Sequence, residues 1–383
     1  MKLGSLCSGA GGLDLAVEQV FGAETAWHCE IDDAAAKVLA HRWTGVPNHR
    51  DLTATDWGAV EPIDILTGGY PCQPFSHAGK RKGTDDERHI WPDVREAIRR
   101  LRPRYTFLEN VAGHRSLGFD RVLGDLAEDG LHVRWTSVRA SDVGAPHQRE
   151  RLFILAELAD THGGRCEVGP QRDSESLERE LEPSQRRNTH RRDLSTADAA
   201  SDGRHQGWPE PAGLIGGELL LPGIARAYGN GGLLPTPTAR DHKGHNQRQD
   251  GSCLTGALLP THAASDATGG GRHPDARVGH TSQIIDAALL HGTAAWGKYA
   301  PAIHRWEQVT RPAPSPTEPN RNGNPRLNPA FSEWMMGWPA GWVTALPGIS
   351  RNDQLRIIGN GVVPQCASVA LRWLLSVDCG VAA

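Results

Sequence analysis

No Cys-x-x-Cys pair occurs in this chain, and its seven cysteines (Cys7, Cys29, Cys72, Cys166, Cys253, Cys366 and Cys379) are scattered and odd in number. A disulfide framework is therefore not expected, and reducing cytosol is the expected setting. No apolar run approaches the ~20 residues that a membrane helix needs, and no signal peptide opens the chain, so a soluble cytoplasmic protein with no membrane partner is expected. Positive charge is not in excess either. The formal net charge is −4, which on its face argues against nucleic acid. An enzyme that grips one short site needs only a local basic surface, so the argument is weak in both directions. The eighteen histidines lack ligand spacing with cysteines or acids, and no metal is expected. No internal repeat is evident.

What the chain has is length and a βα rhythm. Its 383 residues suffice for two domains with a sizeable core in the larger one. Apolar runs at 3–6, 26–31, 63–66 and 105–108 read as strands, with helical patterns at 13–20, 34–41 and 94–101 between them. That alternation predicts a parallel sheet, closed by a strand pair at 133–138 and 152–155. Residues 160–213 are rich in Arg, Glu, Asp, Ser and Gly with almost no aliphatic periodicity, so a disordered or extended insert is expected. Residues 214–325 are rich in Gly, Pro and His and read as a small irregular domain, with Trp296 and Trp306 as its anchors. Regular helix is expected to return only at 364–375.

Three short segments carry chemistry. The first is Gly68-Gly69-Tyr70-Pro71-Cys72-Gln73-Pro74-Phe75-Ser76, a strand end opening into a loop. Free cysteines are usually buried small hydrophobes, but a loop between prolines presents a thiol better than it hides one. The second is Glu109-Asn110-Val111, entered from the strand Tyr105 to Leu108. The third is Gln148-Arg149-Glu150-Arg151, immediately before Leu152 to Leu155. A glycine turn, Ser8-Gly9-Ala10-Gly11-Gly12, lies between the first strand and the first helix, where amides can bind an anionic group. Asp14, in the first helical turn, reads as a capping acid. Glu30 ends the second strand, from which an acid can bind ribose hydroxyls. His28-Cys29-Glu30 with Pro71-Cys72 imitates a zinc-deaminase signature, but Phe75 stands where its second cysteine would be, so no zinc is expected.

Pro-Cys, Glu-Asn-Val and Gln-Arg-x-Arg, in this order after a glycine-rich start, resemble the cytosine-C5 DNA methyltransferases. The resemblance covers residues 1 to about 157 and 326–383. It implies a Rossmann-like α/β domain that binds S-adenosylmethionine, made of residues 1–159 and completed by 326–383, with 214–325 as a smaller target-recognition domain. It implies a cofactor site of Ser8, Gly9, Ala10, Gly11 and Gly12 near the methionine moiety, and Glu30 on the ribose. Ile31 would lie against the adenine and Asp51, beside Leu52, on its amine. Asn360 of Ile358-Gly359-Asn360-Gly361-Val362, otherwise an ordinary turn, would return to complete the pocket. Cys7 departs from the family, which commonly has an aromatic residue there.

The chemistry fits. Cytosine C5 is a poor nucleophile until a thiolate adds at C6, which Cys72 can supply. An unperturbed thiol has a pKa of about 8.5, so Cys72 would gain from nearby cations such as Arg149 and Arg151, which favour its thiolate. Glu109, raised by burial, can hold a proton toward N3. Arg151 is assigned to the cytosine O2, with Arg149 supporting the loop. The target base must leave the stack. Residues 76–88 suit a closing loop, with Gln73, Ser76, Lys80, Arg81, Lys82 and Arg88 as candidate DNA contacts. Arg240 and Lys243 are candidates in the smaller domain. The expected partner is double-stranded DNA, bound by a monomer of bacterial or phage origin, with or without a cognate restriction endonuclease. The alternatives are an RNA cytosine-C5 methyltransferase and a catalytically silent DNA-recognition protein of the same fold. A nicotinamide dehydrogenase would explain the glycine turn but neither Pro-Cys nor Glu-Asn-Val.

Overall fold

The computed structural model describes residues 1–71, 90–116, 118–158, 258–267, 284, 287 and 296–377. The insert expected at 160–213 lies outside these residues. The described parts of 1–158 and 258–377 belong to one compact unit.

Its centre is a six-stranded sheet, built from β1 (Lys2–Leu6), β2 (Glu24–Cys29), β3 (Ile65–Gly68), β4 (Tyr105–Val111), β5 (Leu131–Arg139) and β6 (Glu150–Leu158). The order is β2-β1-β3-β4-β6-β5; the first four strands are parallel, and β6 pairs antiparallel with both β4 and β5. Neighbouring residues point to opposite faces, and both faces are apolar. Ile65, Phe107, Phe153 and Leu155 enter one core cluster, while Leu66, Leu108, Leu152 and Ile154 enter the other. The first cluster is covered by α1 (Gly12–Phe21), α2 (Asp33–Arg42) and the C-terminal helices. The second is covered by α3 (Trp91–Leu101) and α4 (Phe119–Glu128).

Regular helix returns earlier than the sequence suggests. After 296 come α5 (Ala300–Val309), the short hairpin β7 (Thr317–Pro319) and β8 (Pro325–Leu327), α6 (Pro329–Met335), α7 (Arg351–Asn360) and α8 (Pro364–Ser376). α6 has only seven residues and α7 is polar along most of its length, so neither announces itself by apolar periodicity. Trp306, on α5, is fully buried in the cluster that also holds Val143, Phe153 and Trp334. Its indole N–H donates to the Trp334 carbonyl at 2.8 Å.

β1 and β3 are adjacent, yet the chain leaves β1 toward β2 and β3 toward β4. The strand order reverses between them, and in open α/β sheets ligands bind outside the carboxyl ends of the strands at such a point.

Candidate active site

A cleft of about 360 Å³ opens at that point. Cys7 and Gly9 enter it from the end of β1, Gly69, Tyr70 and Pro71 from the end of β3, and Glu30 to Asp32 from the end of β2. Glu109 to Val111, Arg151 and the end of α7, through Ile357, Gly359 and Asn360, complete the lining.

Glu30 organises the cofactor side. The Gly9 N–H donates to its Oε2 at 2.7 Å and the Asp32 N–H to its Oε1 at 2.8 Å, which ties the glycine turn to the start of α2. Asn48 brackets its backbone, accepting from the Glu30 N–H and donating to the Glu30 carbonyl. Burial raises the Glu30 pKa, and the two amides pull against that rise. Each carboxylate oxygen keeps a lone pair for a ligand hydroxyl. Ile31 is 65% exposed, an apolar surface open to the cleft. Asp51 accepts from the N–H and hydroxyl of Thr53, bonds that hold its pKa low. Leu52 is buried beside it.

The glycine turn divides. Gly9 lines the cleft, but Ser8, Ala10, Gly11 and Gly12 are not among the lining residues. The Ala10 carbonyl accepts from the Trp342 indole, and Gly11, in the left-handed region at φ 79°, lies against the Trp43 ring. Asp14 is not a cap. It is fully buried, and its carboxylate accepts from Ser5 Oγ (2.9 Å) and Thr67 Oγ1 (2.6 Å), joining α1 to β1 and β3. The first-turn position invites a macrodipole reading, but the side chain points at the sheet and not at the helix amides. Asn360 is the last residue of α7, not part of a free turn; the Gly361 N–H closes the helix end on the Ile358 carbonyl.

The other side of the cleft is built by register. Val111 lies opposite Arg151 in the β4–β6 ladder, which puts Glu109 and Arg151 on one face. Arg151 Nε lies 2.8 Å from Glu109 Oε1. Burial of Glu109 raises its pKa, opposed by the Arg151 and Arg149 guanidiniums. Asn110 donates to the Tyr70 carbonyl at 3.4 Å and accepts from the Val111 N–H, fastening the end of β4 to the loop after β3. The Tyr70 hydroxyl in turn meets His114 Nε2 at 2.9 Å.

Arg149 stands apart from the cleft. It is 6% exposed with φ 27°, and its guanidinium donates to the carbonyls of His262 (3.2 Å), Gly359 (3.0 Å) and Gly361 (2.6 Å). It therefore ties β6 to residue 262 and to the end of α7. Cys72, Gln73, Ser76, Lys80, Arg81, Lys82, Arg88, Arg240 and Lys243 lie outside the described residues; the described chain reaches the cleft at Pro71, one residue before Cys72. Sequence reasoning missed Asn48 and Arg356, which sit in no recognisable motif, and Tyr70, which stands within the Pro-Cys segment but was given no role. Arg356 lines the cleft from α7 and donates to both oxygens of Asp32, the α2 cap. Among the described residues no group of three or more His, Cys, Asp or Glu could hold a metal ion, and no helix is long and apolar enough to cross a membrane.

An open, mostly parallel sheet with a cleft at its switch point, an acid after β2 and a glycine turn after β1 defines a Rossmann-like methyltransferase fold. The sequence model of C-5 cytosine-specific DNA methylases matches residues 1–210, and the chain belongs to that family. The family uses S-adenosylmethionine as its methyl donor. The chain is 34% identical over 159 residues to the type II methyltransferase M1.ScrFI of Lactococcus lactis subsp. cremoris, covering 40% of this chain and 41% of that protein. It is 37% identical over 159 residues to M.HpaII of Haemophilus parainfluenzae, covering 39% and 44%. The match thus spans less than half the length of these two relatives. In fold, it is similar over 98% of both chains to the S. pombe Dnmt2 methyltransferase (TM-score 0.50, 15% identity) and to the Entamoeba histolytica methyltransferase EhMeth (TM-score 0.51, 15% identity).

Proposed function

We propose that the protein is a DNA (cytosine-5)-methyltransferase that methylates a flipped-out cytosine of a specific duplex sequence through a covalent bond from Cys72 to C6. The observation that carries the reading is the Glu109–Arg151 pair, held in the same cleft as Glu30, Ile31 and Asp51, with Pro71 delivering the chain to its wall just before Cys72. Glu30 follows β2 and Glu109 lies on β4, three strand spacings away, or about 14 Å. One cleft thereby has room for a nucleoside-sized donor and a base side by side.

The lining suits the donor. Glu30 would take the ribose hydroxyls, Ile31 the adenine face, Asp51 the adenine amine, and Asn360 would close the pocket. S-adenosylmethionine bound there supplies an electrophilic methyl group. On the acceptor side, the Cys72 thiolate adds to C6, and the ring electrons displaced by that addition make C5 nucleophilic. Glu109 carries a proton to N3, and its burial, which raises its pKa, favours the protonated form that the step needs. Arg151, already aligned by Glu109, donates to O2. Once C5 carries the methyl, water removes the C5 proton and the pair left in that bond expels the Cys72 thiolate. Arg149 acts behind these groups, holding the start of β6 against α7. Gln73, Ser76, Lys80, Arg81, Lys82 and Arg88 would meet the DNA beside the base, and Arg240 and Lys243 would read it from 214–325.

The family description and the relatives' names as type II methyltransferases support DNA over RNA, and a companion restriction endonuclease fits the same names. The test is bisulfite sequencing of DNA from cells expressing the chain. The reading expects protection of one cytosine within one short duplex sequence; unmodified DNA together with methylated RNA would replace it with the RNA reading.

A further inference from the structure

Trp338 is fully buried between α6 and α7, in a stretch that the family model does not match. Its indole N–H donates to the Val362 carbonyl at 2.8 Å. Two glycines pack against the same ring, Gly12 at its nitrogen side and Gly361 at its outer edge. A methyl group built on Gly12 would stand 3.3 Å from Trp338 Nε1 and 2.7 Å from the Val362 carbonyl. One built on Gly361 would overlap Cζ2 and Cη2 of Trp338. Gly12 closes the turn whose Gly9 lines the cleft, and Gly361 follows Asn360, which lines it from the other side. One ring therefore packs against both walls, beside the point where Gly12 approaches the Val362 carbonyl directly.

The ring is itself held. Arg311 donates to the Trp338 carbonyl at 2.6 Å, and the Trp338 N–H donates to the Glu333 carbonyl. The Glu333 carboxylate, 1% exposed, accepts from the N–H groups of Gly341, Val343 and Thr344, folding the following loop so that Trp342 reaches Ala10. Rings buried in this way do not yield by more than fractions of an ångström.

We propose that Trp338 is a positioning residue that sets the width of the donor cleft, by spacing the glycine turn from the Asn360 end of α7. The inference rests on the reading of this cleft as the S-adenosylmethionine site. Gly361 has φ −69° and ψ 170°, a conformation open to alanine, so Gly361→Ala tests the steric contact alone. The Cζ2 and Cη2 atoms that its methyl would strike belong to the outer indole edge, which phenylalanine lacks.

The experiment is calorimetric titration of the full chain with S-adenosylmethionine, alongside thermal melting, for wild type, Gly361→Ala, Trp338→Phe and the double variant. Gly361→Ala is expected to raise Kd about tenfold, as overpacking of a tight contact does. Trp338→Phe is expected to raise it severalfold by letting the walls relax, and the double variant to bind more tightly than either single one. If Gly361→Ala does not fold, the comparison of Trp338→Phe with the double variant decides. Additive losses, or lowered melting temperatures with unchanged Kd, would overturn the inference. Wild-type protein that fails to bind S-adenosylmethionine would overturn the functional reading, and the inference with it.

Discussion

Glu109 is an acid that the fold has placed against its own preference. Burial favours its protonated form, while the Arg151 guanidinium 2.8 Å away favours the carboxylate. A group balanced in this way can move a proton during a reaction. Glu109→Gln keeps the shape and a hydrogen-bond donor but has no proton to transfer. It is expected to lower turnover by about two to three orders of magnitude with a much smaller change in DNA affinity. Single-turnover methyl transfer measured beside DNA binding checks this, and equal losses in both would make the residue structural. The placement of Glu109 and Arg151 in the cleft was legible in the sequence because apolar strands lead into or out of them. Asp14 was misread, because a helical position says nothing about which hydroxyls lie beneath it.

At the scale of elements, the weight falls on α7 and on the start of β6. The Arg149 guanidinium donates to the carbonyls of Gly359 and Gly361 at the end of α7 and to that of His262, and a lysine cannot span all three. Arg149→Lys is expected to cost on the order of 3 kcal/mol of stability and to weaken S-adenosylmethionine binding through Gly359 and Asn360. Denaturant unfolding and calorimetry would read the two effects; a stable protein with loose cofactor binding would mean that Arg149 acts on the ligand directly. The parallel strands were legible because both faces of each are apolar. α4 was missed although Phe119, Val122 and Leu126 recur at helical spacing, since Gly124 interrupts the pattern. The tryptophans around the glycine turn were not legible at all. Trp342 bonds Ala10 across more than three hundred residues, and no local pattern records such a contact.

For the whole molecule, buried titratable groups set how stability responds to pH. Burial raises the Asp14 pKa to about 6 and lowers that of His28 to about 4 and that of His147 to about 3. The folded state holds the Asp14 proton more tightly than the unfolded one, so that group's contribution is lost as pH rises from about 4 through 6. The histidines work the other way: their contribution is present above pH 6.5 and is lost as pH falls toward 4 and 3. Asp14→Asn removes the first effect, so the variant should gain on wild type by about 2 kcal/mol between pH 4 and pH 7. Denaturant midpoints at the two pH values check this, and parallel profiles would contradict it. Sequence choice belongs to the same scale. Deleting 170–205 is expected to keep activity and target site, whereas altering 240–248, where Arg240, Asn246 and Gln247 have the side chains that read base edges, should change or destroy recognition; bisulfite maps of both variants decide. The central claim, that Cys72 attacks C6, is tested most directly by incubating the full chain with S-adenosylmethionine and duplex DNA carrying 5-fluorocytosine, followed by denaturing electrophoresis. Fluorine at C5 cannot leave as a proton does, so wild type should run as a protein–DNA adduct and Cys72→Ser should not. An adduct formed equally by the serine variant, or none formed by a wild type that methylates ordinary DNA, would contradict the account.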